Sequence, residues 1–238
     1  FPQRSVDPEG IAVGKVGKGG ESRLFLSSEG EAKVGQPPFV AEFDRHGRFV
    51  RELPLPLRYR PAVGAAIGVR NNLGFEALSL TPDGRFLLAG AENGLAQESP
   101  AAAPGVPSRS RLLRWDLAKG GAPAGFLYVA EAVSLTPPSP ADVIVNGLVE
   151  MIALGRDELL TLERQWVPGV GIELKLYSVS LAGLPNAAGV DAPASLALAT
   201  AKKTLVLDFA DLGLPLDNFE GMAFGPPLPD GRRPLFVV

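Results

Sequence analysis

Cysteine is absent from the 238-residue chain, and histidine occurs once, as His46. The absence of cysteine excludes disulfides, thiol catalysis and cysteine-ligated zinc, but it says little about the compartment. A Ser-His-Asp triad would have to use His46, which falls in an expected hairpin turn, and no Gly-x-Ser-x-Gly elbow is present. The sequence therefore disfavours both thiol and serine-hydrolase chemistry.

Basic tracts and long apolar runs are also missing. With a net charge of −3 and no run of lysine and arginine, the chain offers few phosphate contacts, so we expect no nucleic-acid partner. The longest apolar runs, such as 205–207, are too short to span a bilayer, so no transmembrane segment is expected. Hydrophobic content of 46% and charged content of 21% are typical of a globular chain with a sizeable core.

The two ends of the sequence suggest a processed or partial chain. It starts at Phe1 without a signal peptide and stops at Val238 within an expected strand. We therefore expect one domain over 1–238 that is partial at both ends, with any targeting segment lying outside it.

A short phrase recurs four times: a glutamate followed by a small or apolar residue and an apolar run. Its glutamates are Glu9, Glu76, Glu150 and Glu220. They are 67, 74 and 70 residues apart (76−9, 150−76 and 220−150). A period of this size indicates one supersecondary unit used repeatedly.

Each unit has the pattern of antiparallel strands rather than helices. In the second unit the expected strands cover 76–80, 85–92, 109–117 and 126–133, with a turn at Thr81-Pro82-Asp83-Gly84. Four strands in roughly 70 residues are typical of one β-propeller blade. Glycine and proline together make up 51 residues (28+23), which suits a turn-dense chain. We predict an all-β propeller of four-stranded blades, with about three and a half blades here, as part of a six-bladed propeller.

A second acidic residue closes three of the hairpins, namely Glu29, Glu92 and Glu163. Because antiparallel residues equidistant from a turn are neighbours, each is expected beside the glutamate that opens its unit. Glu150 and Glu163 are symmetric about the turn 155–158, whereas Glu76 and Glu92 are offset by a few residues. The pairs are predicted to face one mouth of the central channel.

Carboxylates crowded at a channel mouth would repel each other and raise their pKa values. A divalent cation with oxygen ligands would relieve that repulsion, and calcium suits flexible carboxylate sites best. The candidate metal ligands are Glu9, Glu29, Glu76, Glu92, Glu150, Glu163, Asp217 and Glu220. Two arginines in the same stretches, Arg70 and Arg164, could instead neutralise the ring or hold an anion. The alternative is architectural: a glutamate at a strand start can hydrogen-bond the backbone of the neighbouring blade.

Several motifs resemble the phytase-like domain family, labelled "esterase-like activity of phytase". They are Asn71-Asn72-Leu73-Gly74-Phe75-Glu76-Ala77, Leu162-Glu163-Arg164, Asp217-Asn218-Phe219-Glu220-Gly221, Asp7-Pro8-Glu9-Gly10 and Ser28-Glu29-Gly30. The resemblance implies a β-propeller, bacterial and exported to the periplasm or the outside, with calcium-dependent hydrolysis of phosphoesters or esters. The family's earlier unit and its later Ser-Asp-rich segment are not found in this sequence.

Two functions of different classes follow. In the first, a metal-dependent hydrolase binds a small phosphorylated or ester substrate at the calcium site. Its candidate catalytic residues are Glu76, Glu163, Arg164 and Arg70, with the arginines stabilising developing negative charge. In the second, the propeller is non-catalytic and binds a ligand or a protein, with calcium only structural or no metal. The scarcity of basic residues in the motif stretches favours the second, since a polyphosphate needs several cations.

Overall fold

The computed structural model describes residues 6–17, 20–136, 138–139, 145–193 and 195–238. Over these ranges the chain forms three four-stranded antiparallel sheets and one two-stranded sheet. The first sheet contains β1 (Pro8–Val16), β2 (Glu21–Ser28), β3 (Phe39–Asp44) and β4 (Phe49–Glu52). The second contains β5 (Phe75–Leu80), β6 (Phe86–Ala91), β7 (Ser108–Asp116) and β8 (Ala124–Ala130).

The third sheet contains β9 (Val145–Ala153), β10 (Glu158–Val167), β11 (Gly171–Ser180) and β12 (Lys202–Asp208). The last pairs β13 (Met222–Phe224) with β14 (Leu235–Val237). Within each four-stranded sheet the strands pair in chain order. This up-and-down order is that of propeller blades.

Turn chemistry explains where the strands of the second sheet reverse. Gly84 adopts a positive φ of 66° between β5 and β6, a conformation that costs glycine little. A carboxylate oxygen of Asp83 accepts the Thr81 hydroxyl at 2.6 Å and the Arg85 backbone N–H at 3.0 Å. The turn predicted at 81–84 is therefore present, and the side chain of Asp83 stabilises it.

The first strand of each sheet lies toward a common centre. β5 packs between β1 and β9, and β9 also contacts β13. Close approach of the first two sheets depends on Gly10, where a Cβ would lie 2.5 Å from the Glu76 carbonyl oxygen. Because β1, β5, β9 and β13 are all innermost, groups at the starts of these strands meet at one end of the centre.

Hydrophobic layers fill the space between successive sheets. One layer, between the first and second sheets, includes Phe25, Phe75 and Trp115. A second layer, between the second and third sheets, includes Tyr128 and Met151. Since β6 is covered on both faces, all six of its residues are buried. Burial of this kind is the main stabilising term for stacked blades.

The structure confirms the all-β propeller predicted from the sequence. Strand ends differ by a few residues, as in β9, which begins at Val145 instead of 149. In the fourth unit two strands are present over 220–238. No helix among the described residues is long and apolar enough to cross a membrane.

Candidate cation site at the inner strands

Bulges at the starts of two inner strands place the repeated glutamates. The pairing of β5 with β6 shifts between Phe75 and Ala77, so that Glu76 is the extra residue. The pairing of β1 with β2 shifts in the same way around Glu9 and Gly10. A bulge redirects a side chain out of the regular alternation. Both glutamates therefore depart from the regular alternation of their strands.

Five carboxylates converge there, in two groups that share one member. Asp7, Glu9 and Glu29 each offer an oxygen within 4.8 Å of the others. Glu29, Glu76 and Glu92 do the same. Asp7 and Glu9 are exposed, Glu76 is half-buried, and Glu29 and Glu92 are 2% and 1% exposed. We call these five residues the carboxylate cluster; it runs from the surface into the interior.

The two buried carboxylates, Glu29 and Glu92, differ in their hydrogen-bond partners. Glu29 Oε1 accepts the backbone N–H of Gly74, at the start of the next blade, at 2.7 Å. Glu92 Oε1 is buried and has no hydrogen-bond partner among the described residues. Space for Glu92 depends on Gly147, where a Cβ would lie 2.2 Å from Glu92 Cγ. A buried carboxylate oxygen without a partner is costly, so this atom calls for a ligand.

Burial and mutual repulsion raise the pKa values of the cluster. Burial, followed by the charges of Glu29 and Asp7, raises the pKa of Glu9 to about 7. The pKa of Glu76 is raised by burial and then by Glu92, Glu29 and Glu9. Burial likewise raises the pKa of Glu29 and that of Glu92. The cluster therefore resists holding all of its charges unless a cation is present.

One arginine lies beside the cluster. Arg164 pairs through Nη2 with Glu220 Oε1 at 3.0 Å, and its Nη1 donates to Asn218 Oδ1. Its positive charge lowers the pKa values of Glu9 and Glu92 against the larger effect of burial. Arg164 Nε is buried and has no acceptor among the described residues. Arg164 Nε is thus a donor without an acceptor, just as Glu92 Oε1 is an acceptor without a donor.

Glu150 has a different environment from the cluster. It accepts the backbone N–H of Met151 at 2.8 Å and those of Leu78 and Met222 in the two adjacent sheets. Burial outweighs the opposite effect of these backbone donors and raises the pKa of Glu150 to about 7. The structure thus gives Glu150 the architectural contacts that the sequence left as an alternative for the repeated glutamates.

The predicted pairing of Glu150 with Glu163 is wrong because the hairpin pairs in a different register: Ala153 is opposite Leu159, one position away from symmetry about the turn 155–158. Glu150 is opposite Leu162, and Glu163 is opposite Leu148. Since consecutive residues of a strand face opposite sides, Glu150 and Glu163 lie on different faces of the sheet. The inference from symmetry about the turn cannot detect this one-residue shift.

Glu163 is instead bound within a buried network between the second and third sheets. Its carboxylate accepts the Tyr128 hydroxyl at 2.5 Å, the Glu131 backbone N–H at 2.9 Å and the Lys203 ammonium at 2.6 Å. Glu163 is only 3% exposed. With its acceptors used in this way, Glu163 is a structural ion-pair residue rather than a member of the carboxylate cluster.

Two further predicted residues, Arg70 and Asp217, make other contacts. Arg70 donates to the carbonyl oxygens of Gly94 at 3.2 Å and Ser99 at 2.6 Å, so it holds a loop. Asp217 is exposed, and its carboxylate caps the backbone N–H of Asn218 at 2.8 Å. Neither belongs to the two carboxylate groups found among the described residues.

Sequence reasoning missed Asp7, which completes the outer half of the cluster. Its backbone carbonyl accepts the Glu29 N–H at 3.1 Å, and this contact fixes it beside the hairpin end. The available signal was its position two residues before Glu9, on the same side of an extended chain.

The donor set fits a hard divalent cation. It consists of carboxylate oxygens from flexible side chains, which is the chemistry that calcium prefers. Glu29, Glu76 and Glu92 could hold the ion from the interior, and Asp7 and Glu9 from the solvent side. The unpartnered Glu92 oxygen is also an acceptor that a bound cation would satisfy.

Searches of curated proteins and of solved structures returned no match. The model of one protein family, described as "Phytase-like: Esterase-like activity of phytase", matches residues 1–238. The match extends over every blade described above and over the motifs that carry the carboxylate cluster. The chain therefore belongs to the phytase-like family.

Proposed function

We propose that this phytase-like propeller is a calcium-dependent hydrolase of phosphoesters, acting where the carboxylate cluster meets Arg164. The observation that carries the proposal is the buried, unpartnered Glu92 oxygen within a group of carboxylates less than 4.8 Å apart. An inner group of three carboxylates is difficult to keep ionised in a folded protein without a cation.

The protein's own groups would divide the work. Glu29, Glu76 and Glu92 hold the ion from within, and the Gly74 backbone N–H fixes the orientation of Glu29. Bound calcium would supply Lewis-acid polarisation of a phosphoryl oxygen and acidify a water. Glu9 is exposed and can accept a proton from the attacking water.

Arg164 is suited to stabilise negative charge that develops on the phosphoryl group. Its two Nη atoms are occupied by Glu220 and Asn218, which fix the guanidinium plane. Its Nε is left to donate to an oxyanion. A fixed donor directed at developing charge is worth about 100-fold or more in turnover.

The test is hydrolysis of p-nitrophenyl phosphate with calcium and with a chelator. We expect turnover with calcium and its loss with EGTA, and a similar loss in Glu76→Gln. Arg164→Lys keeps the charge but removes the Nε donor, so kcat should fall by about 100-fold. The matched control is Arg45→Ala, an exposed turn residue, which should behave as wild type. Tight calcium binding without hydrolysis of phosphate or carboxylic esters would end the enzyme proposal.

A second candidate function is a non-catalytic binding propeller with structural calcium. It is favoured by the backbone contacts of Glu29 and Glu150, both of which join neighbouring blades. In this case calcium would raise the unfolding temperature, and Arg164→Lys would leave every measured property other than blade stability unchanged.

A further inference from the structure

A cavity of about 450 Å³ lies where the first sheet meets the segment that leads to the second. Its apolar walls come from the loop before β3 and from the residues that follow β4, namely Pro37, Pro38, Leu53, Pro54 and Leu55. We call this cavity the proline pocket. The carboxylate cluster contributes no residue to its lining. A volume of this size with mainly apolar walls is typical of a site for a small molecule.

The walls of the proline pocket are held by contacts from outside it. A Cβ at Gly30 would lie 2.6 Å from the carbonyl carbon of Pro37 and from the nitrogen of Pro38, so the backbone packs closely against this wall. On the other side, the Pro54 carbonyl oxygen accepts the Trp115 Nε1–H at 2.9 Å. Proline rings also have little freedom of their own. A ligand would therefore bind without ordering the walls, and this favours affinity.

Tyr59 lines the pocket and is only 1% exposed. Its ring stacks on Phe75, with the two centroids 5.2 Å apart and 18° between the ring planes. Its hydroxyl is buried and has no hydrogen-bond partner among the described residues. Burial raises the pKa of this hydroxyl, so it keeps its proton at neutral pH and can donate. A buried O–H group without an acceptor is costly, so Tyr59 needs an acceptor that a ligand can supply.

The two charged residues of the lining, Glu52 and Arg60, are both exposed but differ in their contacts. Glu52 already interacts with another group of the protein. The Arg60 guanidinium forms no ion pair and no hydrogen bond within the part of the chain that the structure describes. The charge that is left for a ligand is therefore positive. A guanidinium pairs best with a planar carboxylate, through two parallel hydrogen bonds.

We propose that the proline pocket binds a small aromatic carboxylate. Its ring packs against the proline walls, its carboxylate pairs with Arg60, and a polar oxygen at its other end accepts the Tyr59 hydroxyl. Each part of the ligand answers a separate feature of the pocket: rigid apolar walls, a cation without a partner and a buried donor without an acceptor. The site goes beyond the proposed hydrolase, because it needs neither the cation nor the carboxylate cluster.

Calorimetry on the whole chain in EGTA tests the site with p-hydroxybenzoate as the probe. We expect a Kd of about 1 mM or lower. Benzoate lacks the distal oxygen, and p-hydroxybenzyl alcohol lacks the carboxylate, so each should bind at least about tenfold more weakly. Arg60→Gln should weaken p-hydroxybenzoate about tenfold and leave the alcohol unchanged. The matched control is Arg45→Gln, an exposed arginine outside the pocket, which should bind as wild type does.

Tyr59→Phe separates a binding role from a purely structural one. The variant keeps the ring that stacks on Phe75 and removes only the hydroxyl. It should bind p-hydroxybenzoate about tenfold more weakly and benzoate equally well. Because the hydroxyl has no partner without ligand, the free variant should unfold at the wild-type temperature or above it.

Four results would overturn the proposal. They are no binding of p-hydroxybenzoate by wild type, equal affinity for benzoate, wild-type affinity in Arg60→Gln, and a Tyr59→Phe variant that loses stability but not affinity. A requirement for calcium would also overturn it, since the probe would then bind at the carboxylate cluster. The expected pattern in EGTA would support the site whether or not the protein hydrolyses phosphoesters.

Discussion

Replacing Glu92 by glutamine should have opposite effects on stability without and with calcium. In the metal-free protein Glu92 is buried beside Glu29, and one of its oxygens has no partner. Glutamine has almost the same volume and, like the protonated carboxyl that the folded metal-free protein prefers, carries no charge. The substitution should therefore stabilise the metal-free protein, and it should remove a ligand from the calcium-bound one.

The magnitude follows from the pKa of this residue. Burial, followed by the charge of Glu29, raises the pKa of Glu92 from 4.5 to about 8. At pH 7 the folded protein keeps a proton that the unfolded chain releases, which favours unfolding by about 3 kcal/mol. Glutamine avoids this penalty, so Glu92→Gln should gain about 1–3 kcal/mol in EGTA, or several degrees in Tm. Calcium at 100 times its Kd stabilises wild type by about 2.7 kcal/mol. Loss of a carboxylate ligand should remove most of that gain.

The assay is thermal unfolding at pH 7 in EGTA and in calcium. The matched control is Glu98→Gln, because Glu98 is as deeply buried but is paired with Arg111 at 2.6 Å and with Arg58 at 2.8 Å. Removal of that charge leaves the buried Arg111 without its ion-pair partner, so the control should lose stability with and without calcium. The reasoning is refuted if Glu92→Gln is less stable than wild type in EGTA, or if calcium stabilises both proteins equally.

Three further predictions concern the pH dependence of stability, the space beside Glu92 and the buried network around Glu163. The pKa of Glu9 is raised to about 7 in the folded protein. The stability that its proton contributes is therefore fully present below about pH 4.5 and is lost as the pH rises through 7. Urea unfolding in EGTA should therefore show stability falling from pH 5 to pH 8, and a flat profile would contradict the charge repulsion. Gly147→Ala should lower calcium affinity at least about tenfold because its Cβ displaces Glu92, whereas Gly155→Ala, which meets open space, should bind normally by calorimetry. Glu163→Gln should cost about 3 kcal/mol in chemical denaturation yet leave calcium affinity unchanged, and a selective loss of calcium binding would place it in the site after all.

Much of the architecture could be read from local patterns. The recurrence of Glu9, Glu76, Glu150 and Glu220 marked the units, and the turn ending at Gly84 marked a strand reversal. These patterns are visible in the sequence because the strands of a blade pair with their neighbours along the chain. Residues close together in the sequence therefore specify the strands.

The sequence predicted only in part which residues belong to the carboxylate cluster. Glu9, Glu29, Glu76 and Glu92 do come together, since each hairpin brings its two ends close. The prediction failed for Glu163 because β9 and β10 pair one position away from the expected register, which puts Glu150 and Glu163 on different faces of the sheet. No pattern in the sequence predicts that register, because it depends on what packs against the two strands.

The sequence by itself determined the repeating unit, the strands with their turns, and the acidic residues that end the hairpins, because these depend on contacts within one blade. Only the tertiary structure decided which acids meet: among the described residues Asp7 belongs to the cluster, whereas Glu150, Glu163, Asp217 and Glu220 do not. The physical reason is that burial, charge repulsion and the choice of hydrogen-bond partner arise between blades, where residues about 70 positions apart in the chain become neighbours.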